Sequence, residues 1–206
     1  HFAPCFQVGS CRRNKLTGPT RNHMHSASIL ITGCSSGIGY HTAHGLRRRG
    51  YRVFATARRD EDVQRLASEE LESLALDLDS SKSIRRAVDT VLERTGGRIY
   101  ALINNGAFGL PGAVEDLSRE ALRAQFETNV FGTQELTNLI LPAMRQHNEG
   151  RIIQISSLLG IVCLAYRGAY SASKFALEAL TDTMRLDLLG TNIHLSLIAP
   201  GRMPTG

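Results

Sequence analysis

After Ser28 the chain alternates short β-branched or apolar runs with longer segments of helical period, and this order constrains its fold more than any other feature. The predicted strands are residues 29–32, 52–55, 73–76, 99–103, 151–155 and 193–198. Helical patterns fall between them at 38–49, 61–66, 81–95, 119–147 with a break near Gly132, and 168–189. Repeated strand–helix–strand units pair their strands in parallel through right-handed crossovers, which puts helices on both faces of one sheet. The expectation is a single α/β domain with a doubly wound parallel sheet of Rossmann type. Ligands of such sheets gather beyond the carboxyl ends of the strands.

At 206 residues, with 42% hydrophobic and 21% charged residues, the chain has material for one sizeable core. The formal charge of +5 hints at a polyanionic partner only until it is located. Residues 1–23 hold Arg12, Arg13, Lys15 and Arg21 and no acid, so the rest of the chain carries only +1. No basic stripe with interleaved aromatics runs through the body, which argues against a nucleic-acid partner. The first stretch lacks hydrophobic periodicity and precedes Met24, a candidate initiator five residues before the first predicted strand. Residues 1–23 therefore read as a leader outside the core, and 24–206 as the domain. An acid-free leader with arginines also resembles an organellar transit peptide, but this one shows no amphipathic pattern. No apolar run reaches membrane-spanning length and no signal-peptide core is present, so the default placement is cytoplasmic. Cys5, Cys11, Cys34 and Cys163 lack metal-like spacing and read as reduced, non-catalytic thiols, and no metal site is expected.

Directly after the first predicted strand comes Thr32-Gly33-Cys34-Ser35-Ser36-Gly37-Ile38-Gly39. Glycines permit a tight turn and close backbone approach, and the helix that follows presents free N–H groups to a pyrophosphate. The Gly-x-x-x-Gly-x-Gly spacing departs from the usual dinucleotide fingerprint, and a glycine turn alone could be a mere connector. Its place after the first strand favours a nucleotide. The second strand runs into Arg58-Arg59, where NAD-binding proteins usually offer an acid to the adenosine ribose. A guanidinium at Arg58 suits the extra 2′-phosphate of NADP, while Asp60, further along, keeps NAD in play.

Tyr170 and Lys174 stand four residues apart and share one helix face, so the ammonium can lie beside the phenol and favour its ionised form. A free phenol titrates near pH ~10, and a neighbouring cation brings it into the working range of a general acid or base. A lone Tyr-x-x-x-Lys is more often an ordinary amphipathic helix with tyrosine packed and lysine solvated. Ser157, thirteen residues before Tyr170, sharpens the choice.

In this order and spacing, the glycine turn, Ser157 and the Tyr170/Lys174 pair make the chain resemble the short-chain dehydrogenase/reductase family over residues 28–205. The glycine turn and the Tyr-x-Ala-Ser-Lys-Phe-Ala-Leu-Glu run look most like the branch containing 17β-hydroxysteroid and retinol dehydrogenases. The resemblance implies that Gly33, Ser35, Ser36, Gly37, Ile38 and Gly39 hold the dinucleotide, with Arg58 at the phosphate and Asp77 at adenine. Asn105 and Gly106, in Asn104-Asn105-Gly106-Ala107, fall at the cofactor together with Tyr170 and Lys174. Pro200, Gly201 and Thr205 match the segment that meets the nicotinamide carboxamide. Asn129 matches the asparagine of a catalytic tetrad completed by Ser157, Tyr170 and Lys174. Taken singly, Asp77 could cap the helix near Ser81, Asn104 and Asn105 could stabilise a turn, and Asn129 could mark the helix break.

The implied chemistry is hydride exchange between NADP and an alcohol or carbonyl compound. In it, Tyr170 moves the proton, Ser157 orients the substrate oxygen, Lys174 acts on Tyr170 and the nicotinamide ribose, and Asn129 anchors a relay water. The apolar run 157–164 suits a hydrophobic substrate, although these residues could also be core. Gly106-Ala107 inverts the family's usual Ala-Gly but keeps small residues. Family members also continue well beyond the Pro-Gly segment, so the chain reads as truncated at its carboxyl end. A nucleotide-binding regulator or scaffold without turnover is the alternative. The resemblance also implies a homodimer or homotetramer through the helices before the fifth strand and around Tyr170.

Overall fold

The computed structural model describes residues 27–201, so the leader 1–23, Met24, Cys5, Cys11 and Thr205 lie outside the described residues. Six strands form one sheet: β1 (Ser28–Ile31), β2 (Arg52–Ala57), β3 (Glu72–Ala75), β4 (Ala101–Asn104), β5 (Gly150–Ile155) and β6 (Ile193–Ile198). All pairings are parallel, and the order is β3-β2-β1-β4-β5-β6. Helices α1 (Gly37–Arg48), α2 (Asp60–Ser68), α3 (Ser81–Thr95), α4 (Arg119–Phe126), α5 (Thr133–His147) and α6 (Gly168–Asp187) supply the crossovers. The doubly wound parallel sheet expected from the alternation is thus the observed architecture.

Register explains how one short strand serves two cores. Leu30 stands beside Phe54 on one side and Leu102 on the other, and Leu102 stands beside Ile152. Successive side chains of a strand point to opposite faces, so this row faces α3 and α5, where Ile84, Val88, Leu136 and Ile140 complete a buried cluster. Ile29, Ile31, Val53, Ala55, Ala101 and Ile103 face the other way, with Ala43 of α1 and Leu66 of α2. Every residue of β1 and β4 is buried, the pattern of a central parallel strand covered on both faces.

The predicted break near Gly132 has a different form. Between α4 and α5 the backbone stays helical but widens into a π turn over Glu127–Gly132. Gly132 packs on the loop after β3, where a Cβ would lie 1.9 Å from the carbonyl oxygen of Leu78. Absence of a side chain lets the rod approach that loop, and the extra residue in the turn swings Asn129 inward to 1% exposure. Such widened turns are commonly found at functional sites. Because the sheet order reverses between β1 and β4, the glycine turn after β1 and the Asn104-Asn105 turn after β4 meet at one crevice.

Candidate active site

The glycine turn is held from β4. Asn105 donates its side-chain amide to the carbonyls of Thr32 (3.0 Å) and Gly33 (2.9 Å), and Thr32 Oγ1 accepts from the backbone N–H groups of Asn105 (2.9 Å) and Gly106 (2.8 Å). Asn105 and Gly106, expected at the cofactor, thus brace the turn. Gly33 takes a left-handed φ of 69°, and a Cβ on Gly39 would lie 2.3 Å from the Gly33 carbonyl oxygen, so only glycine lets α1 begin this close to the turn. Ser36 caps α1 in extended conformation without spending its hydroxyl on the helix, and the first turn of α1 carries no acid. These N–H groups suit an anion and meet no competing carboxylate from their own helix.

Arg58 and Arg59 are both exposed at the end of β2. Arg59 pairs with Glu61 at 3.3 Å, whereas Arg58 makes no salt bridge among the described residues, which leaves it the freer of the two for a phosphate. Sequence reasoning missed Arg65. From α2 its guanidinium donates to the carbonyl of Ser35 at 2.6 Å and lies over the Tyr40 ring, 5.5 Å from its centroid, clamping the turn from outside. No local motif marks that residue. Asp77 accepts from the N–H of Asp79 at 3.2 Å, and the cap of α3 is Ser80 instead, so Asp77 is not the capping residue. Cys34 lies within the glycine turn but is fully buried, and burial pushes its thiol up to about 12, so it stays a neutral packing group.

The candidate proton-transfer residues converge beyond the ends of β4, β5 and β6. A cleft of about 800 Å³ has Ser157 and Tyr170 in its wall, with Pro200 and Gly201 along its edge. Of the apolar run 157–164, Leu158, Leu159 and Leu164 face this cleft, while Ile161, Val162 and Cys163 are exposed outside its lining. Ser157 Oγ accepts from the N–H of Leu159 at 3.1 Å, which fixes the oxygen and leaves its proton to donate. Tyr170 lies on α6, and a Cβ on Gly109 would come within 3.3 Å of its ring, so the small residue there makes room for the phenol.

Lys174 is 3% exposed. Its Nζ donates to the carbonyl of Ile155 at 2.7 Å and lies 5.7 Å from the Tyr170 ring centroid. Burial lowers its ammonium to about 8, against the opposing pull of Glu178 one helical turn further along α6. Asn129 completes the group from the π turn. Its amide donates to the Phe108 carbonyl (2.9 Å) and to Ser173 Oγ (3.1 Å), and its Oδ1 accepts from the Phe108 N–H (3.1 Å). Those bonds commit the Asn129 side chain to Phe108 and Ser173. Ser173 passes the contact on by donating to the Tyr170 carbonyl at 2.7 Å. It too was missed, although its place between Tyr170 and Lys174 was a signal.

Among the described residues, no helix is long and apolar enough to cross a membrane, and no three His, Cys, Asp or Glu side chains gather as a metal site.

The family model for short chain dehydrogenases matches residues 27–206. The chain is 45% identical over 178 residues to the Escherichia coli K12 oxidoreductase YbbO, covering 86% of this chain and 66% of that protein. It is 36% identical to human retinol dehydrogenase 8, covering 86% of this chain and 59% of the relative. The actinorhodin polyketide ketoreductase, solved with NADPH, superposes with a TM-score of 0.83 at 32% identity, covering 90% of this chain and 73% of that one. The chain spans about two thirds or less of the length of these curated relatives.

Proposed function

Because this chain belongs to the short-chain dehydrogenase family, we propose that it is an NADP(H)-dependent oxidoreductase that interconverts a hydrophobic alcohol and its carbonyl compound. The observation that carries the reading is the buried Lys174, fixed on the Ile155 carbonyl beneath a tyrosine that opens into an apolar cleft beside Ser157. A buried ammonium without a carboxylate bonded to it is costly, and such groups gather where their charge is used.

The turn fits a dinucleotide. The uncapped start of α1 and the left-handed Gly33 would receive the pyrophosphate, and the unpaired Arg58 would take the 2′-phosphate, which favours NADP over NAD. When bound, the nicotinamide accepts or delivers hydride at the substrate carbon. The chain's own residues handle the oxygen. Ser157 donates to it and sets its direction, and Tyr170 gives or takes its proton. Lys174 stabilises negative charge developing on the phenolic oxygen, and Asn129, held against α6 through Ser173, anchors a relay water.

The test is to follow NADPH absorbance with the full chain across a panel of apolar aldehydes and ketones. Turnover in the wild type and its loss in Tyr170→Phe are expected. Tight NADPH binding with no reduction across the panel would instead support a regulatory nucleotide-binding protein.

Phe131, Phe175 and Leu180 expose apolar surface on the π turn and α6, which supports a homodimer packed through these helices and α5. Sedimentation should show a species of twice the chain mass, reduced to monomer by Phe131→Glu.

A further inference from the structure

The active-site cleft is apolar on most of its wall, but one charge faces it. Arg167 lines the cleft together with Phe108, Leu158, Leu159, Leu164 and Tyr170, and neither aspartate nor glutamate is among the lining residues. Among the described residues Arg167 makes no salt bridge. A guanidinium that merely tied two elements together would be spent on a carboxylate or a carbonyl, as Arg65 is on Ser35.

Its placement is enforced by the backbone. Tyr166, just before it, sits at φ 61°, a left-handed conformation that costs a bulky residue free energy and persists only when its surroundings impose it. Those surroundings are visible: the N–H of Gly112 donates to the Tyr166 carbonyl at 3.0 Å, and Gly112 bridges Arg167 itself. A Cβ on Gly168 would meet Val114 Cγ2 at 2.5 Å, so the segment is pressed against residues 112–114. The chain thus turns sharply through a strained residue and delivers Arg167 to the mouth of the cleft, three positions before Tyr170.

Resting on the proposed activity, we infer that the preferred substrate is an apolar carbonyl compound or alcohol that carries a carboxylate away from the reacting carbon, paired with Arg167 while its apolar body lies on the leucines. A guanidinium matches a carboxylate with two parallel N–H donors, whereas a neutral ester offers weaker acceptors and an ammonium head is repelled. The cleft therefore selects among substrates of equal apolar bulk by the charge of the distal group.

The experiment compares a medium-chain oxo acid, its methyl ester and the corresponding oxo amine, using the full chain with NADPH. The wild type is expected to favour the acid over the ester by roughly tenfold or more in KM, with the amine poorest, the size expected of one charge-assisted hydrogen-bonded pair. In Arg167→Gln the acid-to-ester preference should collapse toward one, and Arg167→Lys should restore part of it. Equal wild-type KM values for acid and ester, or an unchanged preference in Arg167→Gln, overturns the assignment. If none of the three is reduced, it is the proposed activity that fails, and calorimetric titration of acid and ester into wild type and Arg167→Gln still decides the charge selection. Tighter acid binding in the wild type alone supports it, and equal binding of acid and ester refutes it.

Discussion

The side-chain amide of Asn129 donates to Ser173 Oγ at 3.1 Å and so joins the π turn to the helix that carries Tyr170 and Lys174. Ser173 in turn donates to the Tyr170 carbonyl. Tyr170 is therefore positioned through a chain of polar contacts that starts at Phe108, at the end of the Asn104-Asn105 loop. Asn129→Ala leaves the Phe108 N–H without its acceptor, while the Phe108 carbonyl keeps the Gln125 side-chain amide at 2.7 Å. One unsatisfied polar group costs roughly 1–3 kcal/mol, so urea denaturation should show a loss of about 1 kcal/mol or more. A loss under about half a kilocalorie would mean that this network does not bind α6 to the turn.

Tyr170→Phe keeps the ring that packs near Gly109 and removes only the proton donor. NADPH affinity, read by fluorescence, should stay within about threefold of wild type, while carbonyl reduction falls by at least ~100-fold, as expected when a general acid is deleted. Turnover unchanged in this variant would remove Tyr170 from the proposed chemistry.

Arg58→Ala should weaken NADPH by roughly ten- to a hundredfold and NADH by much less, because only the former carries the 2′-phosphate. Equal losses for the two cofactors, measured by titration, would show that Arg58 does not read that phosphate.

Gly132→Ala places a methyl group where the Leu78 carbonyl oxygen already sits, 1.9 Å from the Cβ position. The opposing atom is backbone and cannot swing aside. A loss of about 3 kcal/mol or more is expected, or roughly 6–12 °C in thermal midpoint for a chain of this size. Turnover should fall as well, since the π turn that presents Asn129 must shift.

Lys174 links stability to pH. Its folded value of about 8 lies below the ordinary 10.5, so between those two pH values the unfolded chain holds a proton that the folded chain has released. The cost of the buried charge is therefore fully present below about pH 8, and stability rises with pH through the window up to 10.5. Relative to Lys174→Met, the wild type should gain about 3 kcal/mol across that window. A pH-independent difference would count against a buried ammonium. In the proposed mechanism the charged form acts on Tyr170, so kcat/KM of the free enzyme should decline above about pH 8 over the same titration.

The sequence by itself determined the parallel sheet, the glycine turn and the Tyr170/Lys174 pair. Each is written in local spacing: strand–helix alternation, glycines directly after β1, and a separation of one helical turn. Periodicity acts over a few residues, so a single chain displays it. Tertiary structure decided what those residues touch. The clasp of Asn105 on Gly33 joins positions 72 apart in sequence, and Arg65 reaches Ser35 across 30. The break near Gly132 was legible as an interruption, but its π form and the close packing of Gly132 on the Leu78 carbonyl from another loop were not. Likewise Asn129 was legible as a candidate site residue, while the commitment of its side chain to Phe108 and Ser173 was not. Hydrogen bonds and close contacts between distant segments depend on how the elements pack, and no short window of sequence carries that information.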